Sequence, residues 1–220
     1  MQVDRLTDQL RQMAADFVIK PDARIREVEM ADRLGVSRTP LREALNRLVA
    51  EGFLTFQSGQ GFSCRSLTPR QIVELYEARA AVECEALRHA VTRADDAAIA
   101  ALGAFLDTTE PDYAPGTDPI RLLERDEAFH MRLAELSGNT ELVRMLENLN
   151  GRIRYVRMSD LKTLWENQGG PPHRRIYERL QARDAEGAVQ ALRDHIEMRL
   201  DKATDAVRVA FSRIYVDGET

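Results

Sequence analysis

Arg33-Leu34-Gly35-Val36-Ser37-Arg38-Thr39-Pro40-Leu41-Arg42-Glu43-Ala44-Leu45 reads as the end of one helix, a tight turn and the start of another. Gly35 permits the turn after the short periodic stretch 28–34. Ser37 can cap the helix that follows, and Pro40 is tolerated in its first turn. Leu41, Ala44, Leu45 and Leu48 then share one face until about residue 51, where Gly52 closes the helix. The opening turns carry Arg38, Thr39 and Arg42. Upstream, 4–19 repeats Leu6, Leu10, Met13 and Phe17 at helical spacing and stops at Pro21-Asp22. Downstream, Phe53-Leu54-Thr55-Phe56 and Phe62-Ser63-Cys64-Arg65 flank Gln57-Ser58-Gly59-Gln60-Gly61, two β-prone runs around a glycine-rich turn.

Helix, helix, turn, helix, hairpin is the order of a winged helix-turn-helix, expected over residues 1–66. In that fold the first turns of the third helix enter the major groove of duplex DNA. There an arginine can pair with guanine O6 and N7 or with phosphate. The helix N-terminus and the Ser37 hydroxyl add donors for phosphate. Gly59 and Gly61 let the hairpin backbone approach a sugar-phosphate ridge. Taken alone, the same arginines would also suit a solvated outer face of an amphipathic helix; the complete element order is what favours DNA.

A net charge of −5 over 220 residues argues against a nucleic-acid partner, but the charge is unevenly placed. Residues 1–66 hold ten Lys and Arg against nine Asp and Glu, leaving 21 of the 31 basic and 27 of the 36 acidic residues to the remainder. The acidity therefore belongs to the second part. Hydrophobic and charged fractions of 44% and 30% describe a globular chain with enough apolar mass for a core. No apolar run suits a membrane span, and the N-terminus has no signal-peptide core, so no membrane partner and a cytoplasmic location are expected. Cys64 and Cys84 have neither metal-type nor redox-type spacing and read as small buried residues, which excludes a disulfide framework.

From residue 68 onward the periodicity is helical throughout: 68–92, 94–108, 119–136, 140–157 with a short segment after it, 173–182 and 185–207. Breakers at 110–116 and 169–172 interrupt it. An all-α antiparallel bundle is expected over 67–220, so the fold class is mainly α. Asp126 and His130 stand four apart on one helix beside Leu122, Phe129 and Leu133, with Arg121, Arg125 and Arg132 opposite. His173 shares a face with Ile176, Tyr177 and Leu180, and His195 sits with Ala188, Ala191 and Met198. Three helices thus each aim an imidazole inward. Any one of them alone would suit a hydrogen-bonded core residue. Buried unpaired, such groups would cost several kcal/mol. One shared cation satisfies them together, and an Asp with three His suits zinc, nickel or another divalent transition metal.

Gly35-Val36-Ser37-Arg38-Thr39-Pro40-Leu41-Arg42-Glu43-Ala44-Leu45-Asn46-Arg47-Leu48, with Glu51-Gly52-Phe53-Leu54, resembles the winged helix of the GntR family of bacterial regulators. The resemblance implies operator contacts from Ser37, Arg38, Thr39 and Arg42, and from Gly61 at the wing tip. It departs at Val28, where some members place an arginine that touches DNA. Asp126-Glu127-Ala128-Phe129-His130, Ser137-Gly138-Asn139, His173-Arg174-Arg175-Ile176-Tyr177 and Asp194-His195-Ile196 resemble the FCD effector-binding domain of the FadR-type branch. That likeness implies a metal bound by Asp126, His130, His173 and His195. Pro172, before the third histidine, departs from the usual polar residue, and His89 matches no ligand position. The resemblance also implies that Arg79 and Asn139 face the effector cavity. On the residues themselves, Arg79 could equally pair with Glu83 at i,i+4, and Asn139 could cap a helix.

The expectation is a homodimeric transcriptional regulator, a repressor rather than an enzyme. It would bind double-stranded operator DNA and release it when a small carboxylate effector reaches the buried metal. Two alternatives share the ligand set: a regulator for which the ion itself is the signal, and a metal-dependent hydrolase.

Overall fold

The computed structural model describes residues 2–66, 68–114, 116–165, 173–198 and 200. Helices α1 (Gln2–Ala15), α2 (Glu27–Leu34) and α3 (Arg38–Ala50) precede the hairpin of β1 (Leu54–Gln57) and β2 (Gly61–Cys64). Then come α4 (Pro69–Arg93), α5 (Asp96–Thr109), a 3-10 turn (Glu110–Asp112), α6 (Pro119–Glu135), α7 (Thr140–Trp165) and α8 (His173–Gln181). Residues 185–198 form α9. The chain is mainly α, with a winged helix-turn-helix followed by a helical region. It divides into two compact units, Met1–Thr68 with Gly151–Tyr155, and Pro69–Asn150 with Val156–Thr220.

In the first unit Leu6 and Leu10 of α1 meet Leu41, Ala44, Leu45 and Leu48 of α3, with Phe53 and Phe62 beneath them, all buried. Gly35 adopts φ 65, the left-handed turn expected of it, and its N–H closes α2 on the Asp32 carbonyl. The hairpin is antiparallel, with Leu54 opposite Cys64 and Gln57 opposite Gly61. Arg24 adds a single antiparallel bridge to Ser63, an extra tie at the base of the wing.

Two helix ends differ from the periodicity. α1 stops at Ala15 rather than continuing to residue 19. Phe17 turns left-handed at φ 55, and the Ile19 N–H reaches back to the Met13 carbonyl. Ile19 is still buried, so the apolar spacing outlasts the helix because the chain folds back over the same core. α7 runs to Trp165, beyond the expected end near 157. The expected course of α9 beyond 198 lies largely outside the described residues, as does Pro172.

In the second unit, α4 packs on α6, and α5 packs on α6 and α8. Leu87, Leu106, Phe129, Leu146, Ile176, Leu180 and Leu192 are among its fully buried side chains. Both cysteines are buried free thiols. No described helix is long and apolar enough to cross a membrane.

At the contact of α5 with α8, a Cβ on Gly103 would run into the hydroxyl and ring of Tyr177. Gly103→Ala should therefore cost about 1–3 kcal/mol through overpacking. The check is the urea unfolding midpoint of the full chain, and an unmoved midpoint would show that the ring can step aside.

Candidate functional site

The first candidate face is built at the start of α3. Ser37 is its N-cap residue, in extended conformation at φ −77 and ψ 163, and its side chain makes no capping bond. Ser37, Arg38 and Thr39 are all exposed, while Leu41, Ala44 and Leu45 of the same helix are in the core. Arg42 is half exposed: its Nε lies 3.5 Å from Glu27 Oε2, and its guanidinium stands 6.0 Å from the Phe62 ring. Such a pair is weakly held in water, so the arginine remains free to exchange partners. Gly61, with φ 85, opens β2 directly after the turn, and a Cβ there would meet nothing.

A groove of about 710 Å³ brings together two of these residues, Arg38 and Gly61, with Arg24, Arg26 and Gln60, while Ser37, Thr39 and Arg42 lie outside its lining. Glu27, Val28 and Glu29 also line it, and Arg26 is tied to Glu29 at 2.9 Å. Val28 is 56% exposed, an apolar side chain facing solvent. Arg24 and Arg26 were not legible as site residues. They precede the helix-turn-helix pattern, and backbone pairing of residues 22–25 with β2, such as the Ile25 N–H on the Phe62 carbonyl at 2.8 Å, carries that segment to the wing.

The second candidate is in the helical unit. Asp126, His130, His173 and His195 each offer one ligand atom, these atoms lie within 4.8 Å of one another, and all four residues are buried. Asp118 caps α6 by accepting from the Ile120 N–H at 3.0 Å, and Pro119 follows it. That start places Asp126 and His130 one turn apart on the inner side. His173 is the first residue of α8, stacked on the Phe129 ring at 4.1 Å, and His195 comes from α9. His130 Nε2 faces His195 Nε2 at 3.2 Å, and His173 Nε2 lies 3.1 Å from Asp126 Oδ1. Despite that approach, His173 Nε2 makes no hydrogen bond. Imidazole nitrogens and a carboxylate oxygen converging in one buried space form the donor set of a borderline divalent metal, so these residues fit such an ion.

Two arginines and a second acid surround the four. Arg157 of α7 donates through Nη2 to Asp126 Oδ2 and through Nη1 to Asn150 Oδ1 at 2.8 Å. Arg79 donates through Nε to Glu83 Oε1, while its buried Nη2 has no hydrogen-bond partner. Glu83 Oε2 lies 2.5 Å from His130 Nδ1. Burial pushes the His130 pKa down to about 4, with the Arg79 charge acting the same way and Glu83 and Asp126 opposing, so the ring is neutral at pH 7. Burial alone would raise the Glu83 pKa, but Arg79 foremost, with His130, brings it down to about 2. For Asp126 too, burial acts upward and is outweighed, chiefly by the Arg157 charge, leaving it well below the usual carboxylate range.

Neither Arg157 nor Glu83 was singled out as belonging to this centre from sequence. Arg157 is 31 positions from Asp126, and Glu83 is 47 from His130, so no helical spacing connects them. Arg79 does form the i,i+4 pair with Glu83 and at the same time keeps its buried Nη2 without a hydrogen-bond partner. Asn139 caps α7, its Oδ1 accepting from the N–H groups of Glu141 at 3.0 Å and Leu142 at 3.3 Å. His89 is paired with Glu85 on its own helix at 3.5 Å, apart from the cluster.

Residues 2–63 match the family model described as bacterial regulatory proteins, gntR family, and residues 74–198 match the FCD domain. The Nta operon transcriptional regulator of Aminobacter aminovorans is 39% identical over 205 residues, 92% of this chain and 95% of its own length. The HTH-type transcriptional repressor GlaR of Escherichia coli is 26% identical over 185 residues, covering 80% of this chain and 84% of that protein. Among solved structures, McbR/YncC of Escherichia coli shares the fold. Its TM-score is 0.73 at 24% identity, over 93% of this chain and 98% of that one.

The buried pairing of Asp126 with Arg157 makes a stability prediction. Arg157→Met leaves a buried carboxylate without its cation and should cost about 3–5 kcal/mol in metal-free protein. Asp126→Asn in the same background should recover part of that loss in denaturant unfolding. If the two losses simply add, the pair is not an energetic unit.

Proposed function

Because the chain belongs to the GntR family of bacterial regulatory proteins and carries an FCD domain, we propose that it is a repressor. Its operator affinity is lowered by a small organic acid bound at a metal centre inside the helical unit. Its relatives are transcriptional regulators, not enzymes. GlaR bears the name of repressor, which supports that sign for this chain.

Ser37, Arg38, Thr39, Arg42 and Gly61 are the operator-facing set. The arginines are exposed at the first turns of α3, where a major-groove helix presents its side chains. A homodimer would set two such helices on a palindromic site about one turn of duplex apart.

The observation that carries the effector reading is the convergence of Asp126, His130, His173 and His195, fully enclosed, with Arg79 beside them. A divalent ion held by these four would supply a Lewis-acid docking point for a carboxylate oxygen. Arg79, with its unpartnered Nη2, is suited to the same carboxylate through a charge-assisted hydrogen bond. Asn139 caps α7 through its Oδ1 and would meet the acid only through its remaining amide nitrogen.

Charge balance favours an organic anion over the ion alone as the signal. Arg79 and Arg157 against Glu83, Asp126 and Glu127, the last 3.6 Å from Arg157, leave one negative charge around a neutral His130, fewer than a divalent ion brings. Two added positive charges in a site closed to water would be costly without an incoming anion. The acid changes operator affinity only as far as it prefers the DNA-free form of the protein.

Arg38→Ala and Arg42→Ala should each weaken operator binding by about 1–3 kcal/mol with the fold intact, measured by fluorescence anisotropy at fixed salt. Unaltered affinity in both variants would refute the recognition-helix assignment. For the centre, His130→Ala combined with His195→Ala should abolish stoichiometric metal in elemental analysis and the loss of operator binding on adding citrate. Full metal occupancy in that double variant would strike both histidines from the ligand set.

A further inference from the structure

Glu83 offers no atom to the converging set, yet it is closed away from water with a side chain only 1% exposed. Its two oxygens are divided between two neighbours: Oε1 accepts from Arg79, and Oε2 meets His130 Nδ1 at 2.5 Å. An ionised carboxylate can only accept hydrogen bonds, so the contact with His130 requires the proton on Nδ1. In a neutral imidazole this leaves Nε2 as a bare lone pair. Nε2 is the atom that faces His195 at 3.2 Å, inside the group of four. An imidazole in the opposite tautomer would present an N–H there and could not bind a cation.

We infer that Glu83 is the positioning residue of the centre, holding His130 in the Nδ1–H form and at the same time orienting Arg79. The inference rests on the metal reading above and adds the residue that prepares its ligand. Outer carboxylates that accept from a ligating imidazole set its tautomer, its ring angle and its basicity. Here the same carboxylate also grips the Nε of Arg79, which leaves the buried Nη2 as the donor available to an incoming acid. Glu83 therefore stands between the group that would meet the effector and a group that would meet the metal. Any displacement of one is felt by the other through a single side chain. Coupling of this kind is reciprocal: an acid that tightens zinc binding must itself be bound more tightly by the zinc-loaded protein.

The test begins with metal-free, full-length protein carrying 15N-labelled histidine. Two-bond 1H–15N spectra at pH 7.5 distinguish the tautomers, and the His130 signals are those lost in His130→Gln. The expected pattern is a protonated Nδ1 and an unprotonated Nε2 in the wild-type chain, turning to the Nε2–H form or a mixture in Glu83→Ala. Zinc affinity is then measured by chelator competition, with circular dichroism as the check on folding. Glu83→Ala should bind zinc about 10- to 100-fold more weakly, while Glu77→Ala, an exposed acid on the same helix, should match wild type. A wild-type His130 protonated on Nε2 overturns the inference without any variant having to fold. So does undiminished zinc affinity in folded Glu83→Ala. A wild-type chain that binds no zinc overturns the metal reading, and the inference with it.

Discussion

A charge enclosed in a protein must meet its opposite there, and the helical unit is organised around that requirement. Asp126 is placed inward by the spacing of α6 and answered by Arg157 from α7; Glu83 is answered by Arg79 one turn earlier on α4. Removing any one of the four would leave its partner ionised in a medium that solvates it poorly. The histidines are subject to the same constraint in a different form. They are tolerated because they can be neutral, as burial makes His130, and because Phe129 packs against the face of His173. The geometry of the Asp126–His130–His173–His195 group thus depends on α4, α6 and α7, which cannot shift in register without exposing or orphaning a charge.

The first unit solves a simpler problem. Its core is largely apolar, with Thr7 and Arg65 the buried polar residues among those described, and the cations of its candidate DNA face lie outside it. Arg42 beside Glu27 and Arg26 beside Glu29 are exposed pairs of small energetic worth. Side chains held this loosely can turn to a phosphate without a large penalty. Under the proposed function, a face that reads DNA would keep its cations accessible, whereas a centre that discriminates a small anion would keep its own dry and fixed in place.

Much of this was legible along the chain. Gly35 sits where a left-handed residue is needed, and the leucines of α3 point to a core wherever that helix packs. Asp126 and His130 share a face because any helix places i and i+4 together. The end of α1 was not legible, since Phe17 and Ile19 keep the apolar rhythm while the backbone turns back on itself. Nor was the width of the candidate DNA groove, because Arg24 joins it through a bridge to Ser63 across 39 positions of chain.

Local spacing decided the type of each element and the inward aim of the three imidazoles, because those properties depend on neighbours within one or two turns. Which side chains complete the buried centre was a tertiary decision. The partners Arg157 and Glu83 come from helices whose separation in sequence carries no periodic signal. Only the packed bundle puts a guanidinium against Asp126 and a carboxylate behind His130.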